Sequence, residues 1–319
     1  MTPSRSQVTA VQTTLQTPAT ILGTGLHTGV LARVTLRDAV AGTGILFRRT
    51  DVVGADPLIP ARWDHVEVSP LNTRIANADG VTVSTIEHLM AALSGTGVHN
   101  AVVEIDGPEV PILDGSAAPW VRAILAAGIT TLADPLFAIE ILAPVEVRHG
   151  NALARLEPAP GPSISFTIDF TDAAIGHQEK ALDLSGVAFL RELSDSRTFC
   201  RESDVESMRA RGLALGGTYL NAVVVDGARV LTPGGLRHPD EAVRHKMLDA
   251  VGDLYTAGAP ILGRYTGVRA GHAVTNALLR ALFARPEGWR LVRCDEAIRD
   301  RLPGLPEAVP GLADLLAVA

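Results

Sequence analysis

The chain has 319 residues, 47% of them hydrophobic and 20% charged, with a formal net charge of −7. That length fits two domains or one large one, and the composition suits a globular protein with real cores. The acidic balance gives no general attraction to nucleic acid, and the only two cysteines, Cys200 and Cys294, exclude a disulfide framework and a Cys-rich metal site.

Residues 1–7 lack the apolar core of a secretory signal. No apolar run approaches the ~18 residues that a bilayer-spanning helix needs. These features predict a soluble, cytoplasmic protein with no nucleic-acid partner and no transmembrane segment.

Residues 11–50 alternate apolar and polar positions between Gly-rich turns and read as short strands. A helix is predicted over 84–96, capped by Ser84 or Thr85 and ended by Gly95. Residues 100–105 read as a strand, Asp106-Gly107-Pro108 as a turn, and 117–127 as a helix ending at Gly128. Ala133-Asp134-Pro135 breaks the pattern and marks a domain boundary, giving domains 1–134 and 135–319. Strands follow at 137–141, 145–147, 152–156 and 164–170, with a Pro-rich loop at 158–162.

Helices are then expected over 203–211, 240–257 and 272–285, and a strand over 220–225. The apolar tail 312–319 is either a short packing helix or a handle for a protease. Asn100-Ala101-Val102-Val103 is echoed by Asn221-Ala222-Val223-Val224, through a duplicated domain or by two strands converging on one pattern. Strands and helices mix without regular alternation, which predicts an α+β fold.

The segment Val243–Asp253 carries the chemistry. On a helix, His245 and Asp249 are four apart and share a face, which Asp253 continues by a turn. Glu87-His88 lies in the first predicted helix. Two imidazole nitrogens and one carboxylate oxygen make a zinc site with room for a water. An unused Glu87 beside a ligand is then a candidate base for that water. The reading is a zinc hydrolase, although a surface His–Asp pair has the same spacing.

Lys246 adds a cation that stabilises an anionic tetrahedral intermediate, or else is a solvated lysine. His272 sits at a loop-to-helix junction, where it can protonate a leaving amine. Asp253 can orient it and keep it charged. A helix-end histidine without chemistry would look the same. Thr198 offers a hydroxyl beside an aromatic, as a strand end in the core also would. His27 lies among Gly23, Gly25 and Gly29, in a tight turn that either approaches a ligand or is purely structural. His65, His99, His149, His177 and His238 have no evident partner. The His-Glu-x-x-His and Gly-x-Ser-x-Gly signatures and a P-loop are absent.

Taken together, Gly23–Gly29, Ser84–Leu89, Pro108–Pro119, Arg197–Phe199, Val243–Leu254 and Gly271–Leu279 resemble, in the same order, the UDP-3-O-acyl-N-acetylglucosamine deacetylases. These are zinc amidases of lipid A synthesis in Gram-negative bacteria. The resemblance implies two similar α+β domains, each a sheet packed on helices, with the helices sandwiched between and the site at the interface. It implies one Zn2+ per chain on His88, His245 and Asp249, and Glu87 as base. It makes His272 the general acid oriented by Asp253, and gives Lys246 and Thr198 the oxyanion. Phe199 would contact the sugar region.

It also implies an acylated UDP-sugar as substrate, transient contact with the inner membrane surface, and an apolar acyl passage. The passage maps to the stretch Thr198–Asn221, including Val205, Ala214, Gly217 and Tyr219. Cys200-Arg201 stands where the family usually has Gly-Phe, and Arg237–Ala242 lacks its usual aromatics. Both departures bear on acyl-chain length. A zinc amidase or esterase paralogue acting on a different acylated substrate is the alternative. A non-catalytic binding protein is a further one, against which the filled catalytic positions argue.

Overall fold

The computed structural model describes residues 9–69 and 71–304. The N-terminal stretch 1–7 and the apolar tail 312–319, on which two expectations rest, lie outside the described residues.

Two five-stranded sheets have the same topology. In space the first runs Ala19–Thr24, Leu31–Arg37, Ala101–Ile105, Ile45–Arg49, Leu58–Pro60. The second runs Val145–His149, Ala152–Glu157, Arg264–Val268, Ser163–Asp169, His177–Asp183. Each is antiparallel except where its last strand in sequence enters the centre and pairs parallel with the third.

In the first half, the helix α1 (Glu87–Thr96) precedes that central strand and α2 (Ala118–Ala127) follows it. In the second half, α3 (Gly186–Glu192), α4 (Glu202–Ala210) and α5 (Glu241–Tyr255) precede it and α6 (His272–Phe283) follows, with a short α7 (Glu296–Arg299) beyond. The fold is therefore a duplicated α+β unit. The repeats lie on either side of residue 134, and we keep the division 1–134 and 135–319 as our proposal.

Alternation builds the sheet faces. Ala32, Val34 and Leu36 point inward from a strand of the first sheet, and Ile164, Phe166 and Ile168 from a strand of the second. The helices fill the space between. α2 lies on the first sheet and on α1, α1 lies on α5, and α5 and α6 lie on the second sheet. All of α1 except Ser94 is buried, as expected of a helix with neighbours all round. One continuous core results, from Phe47 and Trp120 through Leu89 and Val251 to Phe166 and Leu278.

Three local expectations need correction. α1 starts at Glu87 and not at 84, because Thr85 adopts φ +58°, a conformation that cannot continue a helix, and its hydroxyl serves Glu109 instead of a cap. Gly97, in the left-handed conformation, ends α1, while Gly95 lies inside it against the Phe189 ring. Ala133-Asp134-Pro135 is not a break but the end of the strand Ile129–Pro135, which pairs with Val11–Leu15. Pro135 is tolerated there because both strands of this two-stranded sheet are edges and the register shifts beside its pair.

The sequence echo does not mark the duplication. Asn100–Val103 leads into a central strand, whereas Asn221–Val224 leads into Val223–Asp226 of a separate three-stranded sheet. The true counterpart of Ala101–Ile105 is Arg264–Val268. The halves also exchange contacts, since Ala10 packs with Leu136, Leu262 and Cys294 in a small second cluster.

Candidate metal centre and active site

Glu87 and His88 open α1, and His245, Lys246, Asp249 and Asp253 line one side of α5. The two helices are packed together, so residues far apart in sequence meet. One nitrogen each from His88 and His245 and one Asp249 oxygen all lie within 4.8 Å of one another. Nε2 of His245 is 3.2 Å and Nε2 of His88 is 3.5 Å from Oδ1 of Asp249. All three residues are buried.

The surroundings suit metal ligation. Nδ1 of His245 is 3.0 Å from the Ser196 carbonyl, so it carries the proton and leaves Nε2 free as a donor atom. Burial lowers the His88 pKa and keeps that imidazole neutral. Burial works against an ionised Asp249, but His245 and Lys246 outweigh it and hold this carboxyl well below its usual range. Lys246 donates to Oδ2 of Asp249 at 2.7 Å. Two imidazole nitrogens and one carboxylate oxygen, converging in a buried pocket, fit a divalent cation.

A second set of titratable groups lies beside the first. Oε1 of Glu87 lies 3.9 Å from Nε2 of His272, and Nδ1 of His272 lies 2.9 Å from Oδ2 of Asp253. Burial raises the Glu87 carboxyl to about 7. Burial alone would lower His272, but Asp253 and then Glu87 prevail and push it up to about 9. One group is thus a base poised near neutrality and the other a cation there.

Both sets line a cavity of about 470 Å³. The same cavity is lined by His27, Thr198, Phe199, Val205, Ala214, Gly217 and Tyr219, so every residue singled out from the sequence lines it except Asp253, which stands behind His272. The Phe199 ring packs edge-on against His245, with centroids 6.3 Å apart. The stretch expected to be an apolar passage is more charged than that expectation. α4 buries none of its residues, Arg201 pairs with Asp204, and the Tyr219 hydroxyl reaches Glu202. Cys200 lines the cavity too, and burial pushes its thiol up to about 11, which makes it a poor nucleophile.

Several functional positions escaped the sequence reading. Glu109 is buried and accepts from the His27 and Thr28 amides and from the Thr28 and Thr85 hydroxyls. It moulds the Gly23–Gly29 turn, and a β-carbon on Gly25 would collide with its carboxylate. That turn delivers His27, whose ring nitrogens are buried without a hydrogen-bond partner among the described residues. Glu241 forms a buried pair with Arg197 at 2.8 Å and fixes the segment that presents Ser196, Thr198 and Phe199. A lone acidic residue among prolines and apolar residues, as Glu109 is in Pro108–Leu113, is the one signal that pointed to such a buried acceptor.

Comparison with known proteins finds relatives along most of the chain. The family model described as UDP-3-O-acyl N-acetylglycosamine deacetylase matches residues 12–284. A protein of Phenylobacterium zucineum named UDP-3-O-acyl-N-acetylglucosamine deacetylase is 54% identical over 280 residues, covering 88% of this chain and 96% of that one. A Shewanella sp. protein of the same name is 46% identical over 283 residues, covering 88% and 92%. A third, from Shewanella oneidensis, is 44% identical over 299 residues, covering 92% and 97%.

Proposed function

The chain belongs to the UDP-3-O-acyl N-acetylglycosamine deacetylase family, and from that premise we propose the following reading of its site. It is a deacetylase that hydrolyses the N-acetyl group of UDP-3-O-acyl-N-acetylglucosamine in lipid A synthesis, releasing acetate and the free 2-amino sugar nucleotide. The paralogue acting on a different acylated substrate is not favoured, given relatives of one name at 44–54% identity.

The observation that carries the reading is the pairing of a base near neutrality with a cationic acid 3.9 Å away, beside three convergent ligand atoms. His88, His245 and Asp249 would hold one zinc ion. When bound, that ion would polarise the amide carbonyl and make a water more acidic. Glu87 takes a proton from the attacking water as its oxygen bonds to the carbonyl carbon. Lys246 and the Thr198 hydroxyl stabilise the oxygen that gains negative charge. His272 gives its proton to the amine nitrogen as the C–N bond breaks, and Asp253 orients the ring. His27 and Phe199 bind the sugar nucleotide, and the cavity beside Val205, Ala214, Gly217 and Tyr219 receives the acyl chain.

No described helix is long and apolar enough to cross a membrane. We take the site of action to be the cytoplasm, with transient contact at the inner membrane surface. Purified protein should contain about one zinc per chain and release acetate from the acylated sugar nucleotide. Metal-loaded protein that releases no acetate would overturn the reading.

A further inference from the structure

Thr73 precedes the strand Arg74–Ala76 and is buried, yet it does not line the cavity. Its amide donates to Oε2 of Glu87 at 3.0 Å, and its carbonyl accepts from the Ile86 amide at 3.3 Å. Its hydroxyl donates to Oδ1 of Asp253. The other Asp253 oxygen is 2.9 Å from Nδ1 of His272, whose Nε2 faces Glu87 at 3.9 Å. Thr73, Glu87, His272 and Asp253 therefore form a closed ring. Three of its members come from α1, α5 and α6, and the fourth from the residue just before an unrelated strand.

We propose that Thr73 is a positioning residue that fixes the base and the acid relative to each other, acting through Glu87 on one side and Asp253 on the other. The inference rests on Glu87 and His272 being the proton carriers. Each contact has a separate job. The backbone contact restrains the Glu87 carboxylate whatever residue stands at 73. The hydroxyl pins Asp253, and Asp253 sets the plane of the His272 ring. Without the hydroxyl, Oδ1 of Asp253 loses its donor in a buried place, and a buried carboxylate turns to find another. His272 turns with it. A displaced proton donor costs turnover but not substrate affinity, because Thr73 is not in the cavity wall.

Thr73→Val keeps the shape and the backbone amide and removes only the hydroxyl donor. Its kcat should fall by about ten- to a hundredfold, the loss expected for one hydrogen bond to a charged group. KM and zinc per chain should stay as in wild type, and Thr73→Ser should recover most of the rate. In an Asp253→Ala background Thr73→Val should cost nothing more, since its acceptor is gone. Should Thr73→Val not fold, Thr73→Ala against Thr73→Ser gives the same comparison.

Wild-type kcat in Thr73→Val, losses that multiply with Asp253→Ala, or a fall in zinc would each overturn the proposal. Glu87→Ala and His272→Ala are measured alongside. If those two keep their turnover, the underlying assignment of proton carriers fails. If they are inactive and Thr73→Val is not slowed, only the ring fails.

Discussion

Gly252 on α5 lies directly against the backbone carbonyl of Glu87 on α1, and no β-carbon fits between them. This tight contact between the two helices falls between Asp249 and Asp253 on one side and beside His88 on the other. A glycine inside a helix gives up about 1 kcal/mol relative to alanine, so this position trades helix stability for helix contact.

The first prediction follows from that contact. Gly252→Ala should raise helix propensity and still destabilise the protein, by about 1–3 kcal/mol, as overpacked cores do. It should also weaken metal retention, because His88 moves away from His245 and Asp249. Thermal unfolding and zinc analysis check both. A variant that melts no lower than wild type and holds full zinc would show that the helices have slack here.

The second prediction separates ligands from base. His88→Ala and His245→Ala each remove one of three donor atoms, so zinc content and activity should collapse together. Glu87→Ala should keep its zinc and lose its rate. Atomic absorption on purified variants decides. A metal-free Glu87→Ala beside a loaded His245→Ala would reverse the assignment.

The third prediction concerns pH. Glu87 must be deprotonated and His272 protonated, so kcat/KM should rise as Glu87 ionises and fall as His272 loses its proton. Their values of about 7 and about 9 bound the two limbs from above. A divalent cation at the three ligands lowers both, by favouring the Glu87 carboxylate and disfavouring the His272 cation, so the limbs lie at or below them. Asp253→Asn removes the anion that holds His272 up, and the basic limb should move to lower pH. His272→Ala should cost about two to four powers of ten and abolish that limb. A basic limb unmoved in both variants would mean that another group is the acid.

What was legible in the sequence was whatever depends on near neighbours. The four-residue spacing of His245 and Asp249 puts both on one helix face, and Glu87-His88 needs only a helix start to present it. The strand Phe137–Ile141, the end of α2 at Gly128 and the start of α6 after Gly271 follow from alternation and glycine signals. What was hidden depends on distant partners. Nothing in the sequence marks Thr73 until Asp253, 180 residues away, meets its hydroxyl. Gly252 reads as a flaw in a helix until Glu87 lies against it. Thr85 looks like a helix cap because Ser and Thr usually serve as one, but Glu109 claims its hydroxyl and Asn72 donates to it at 3.0 Å. The duplication was hidden for a related reason. Two sheets can share a strand order while sharing no residue pattern.

The fourth prediction addresses the acyl chain. Gly217 lines the same cavity as His88, His245 and Asp249, the proposed metal ligands, and its φ is not in the left-handed region, so a side chain there is not barred by the backbone. The space is limited, however. A β-carbon would lie 3.3 Å from the Ala214 carbonyl and 3.5 Å from Leu26. Gly217→Leu must therefore send its bulk along the cavity. If the acyl chain occupies that space, each CH₂ it can no longer bury forfeits about 0.8 kcal/mol of binding. The variant should lose kcat/KM on the acylated sugar nucleotide far more than on the same molecule lacking the acyl chain, with zinc unchanged. Charged neighbours such as Arg201, Glu202 and Arg209 make an alternative concrete, namely a polar rim that touches only the nucleotide. Equal losses on the two substrates would favour that rim and send the acyl chain elsewhere.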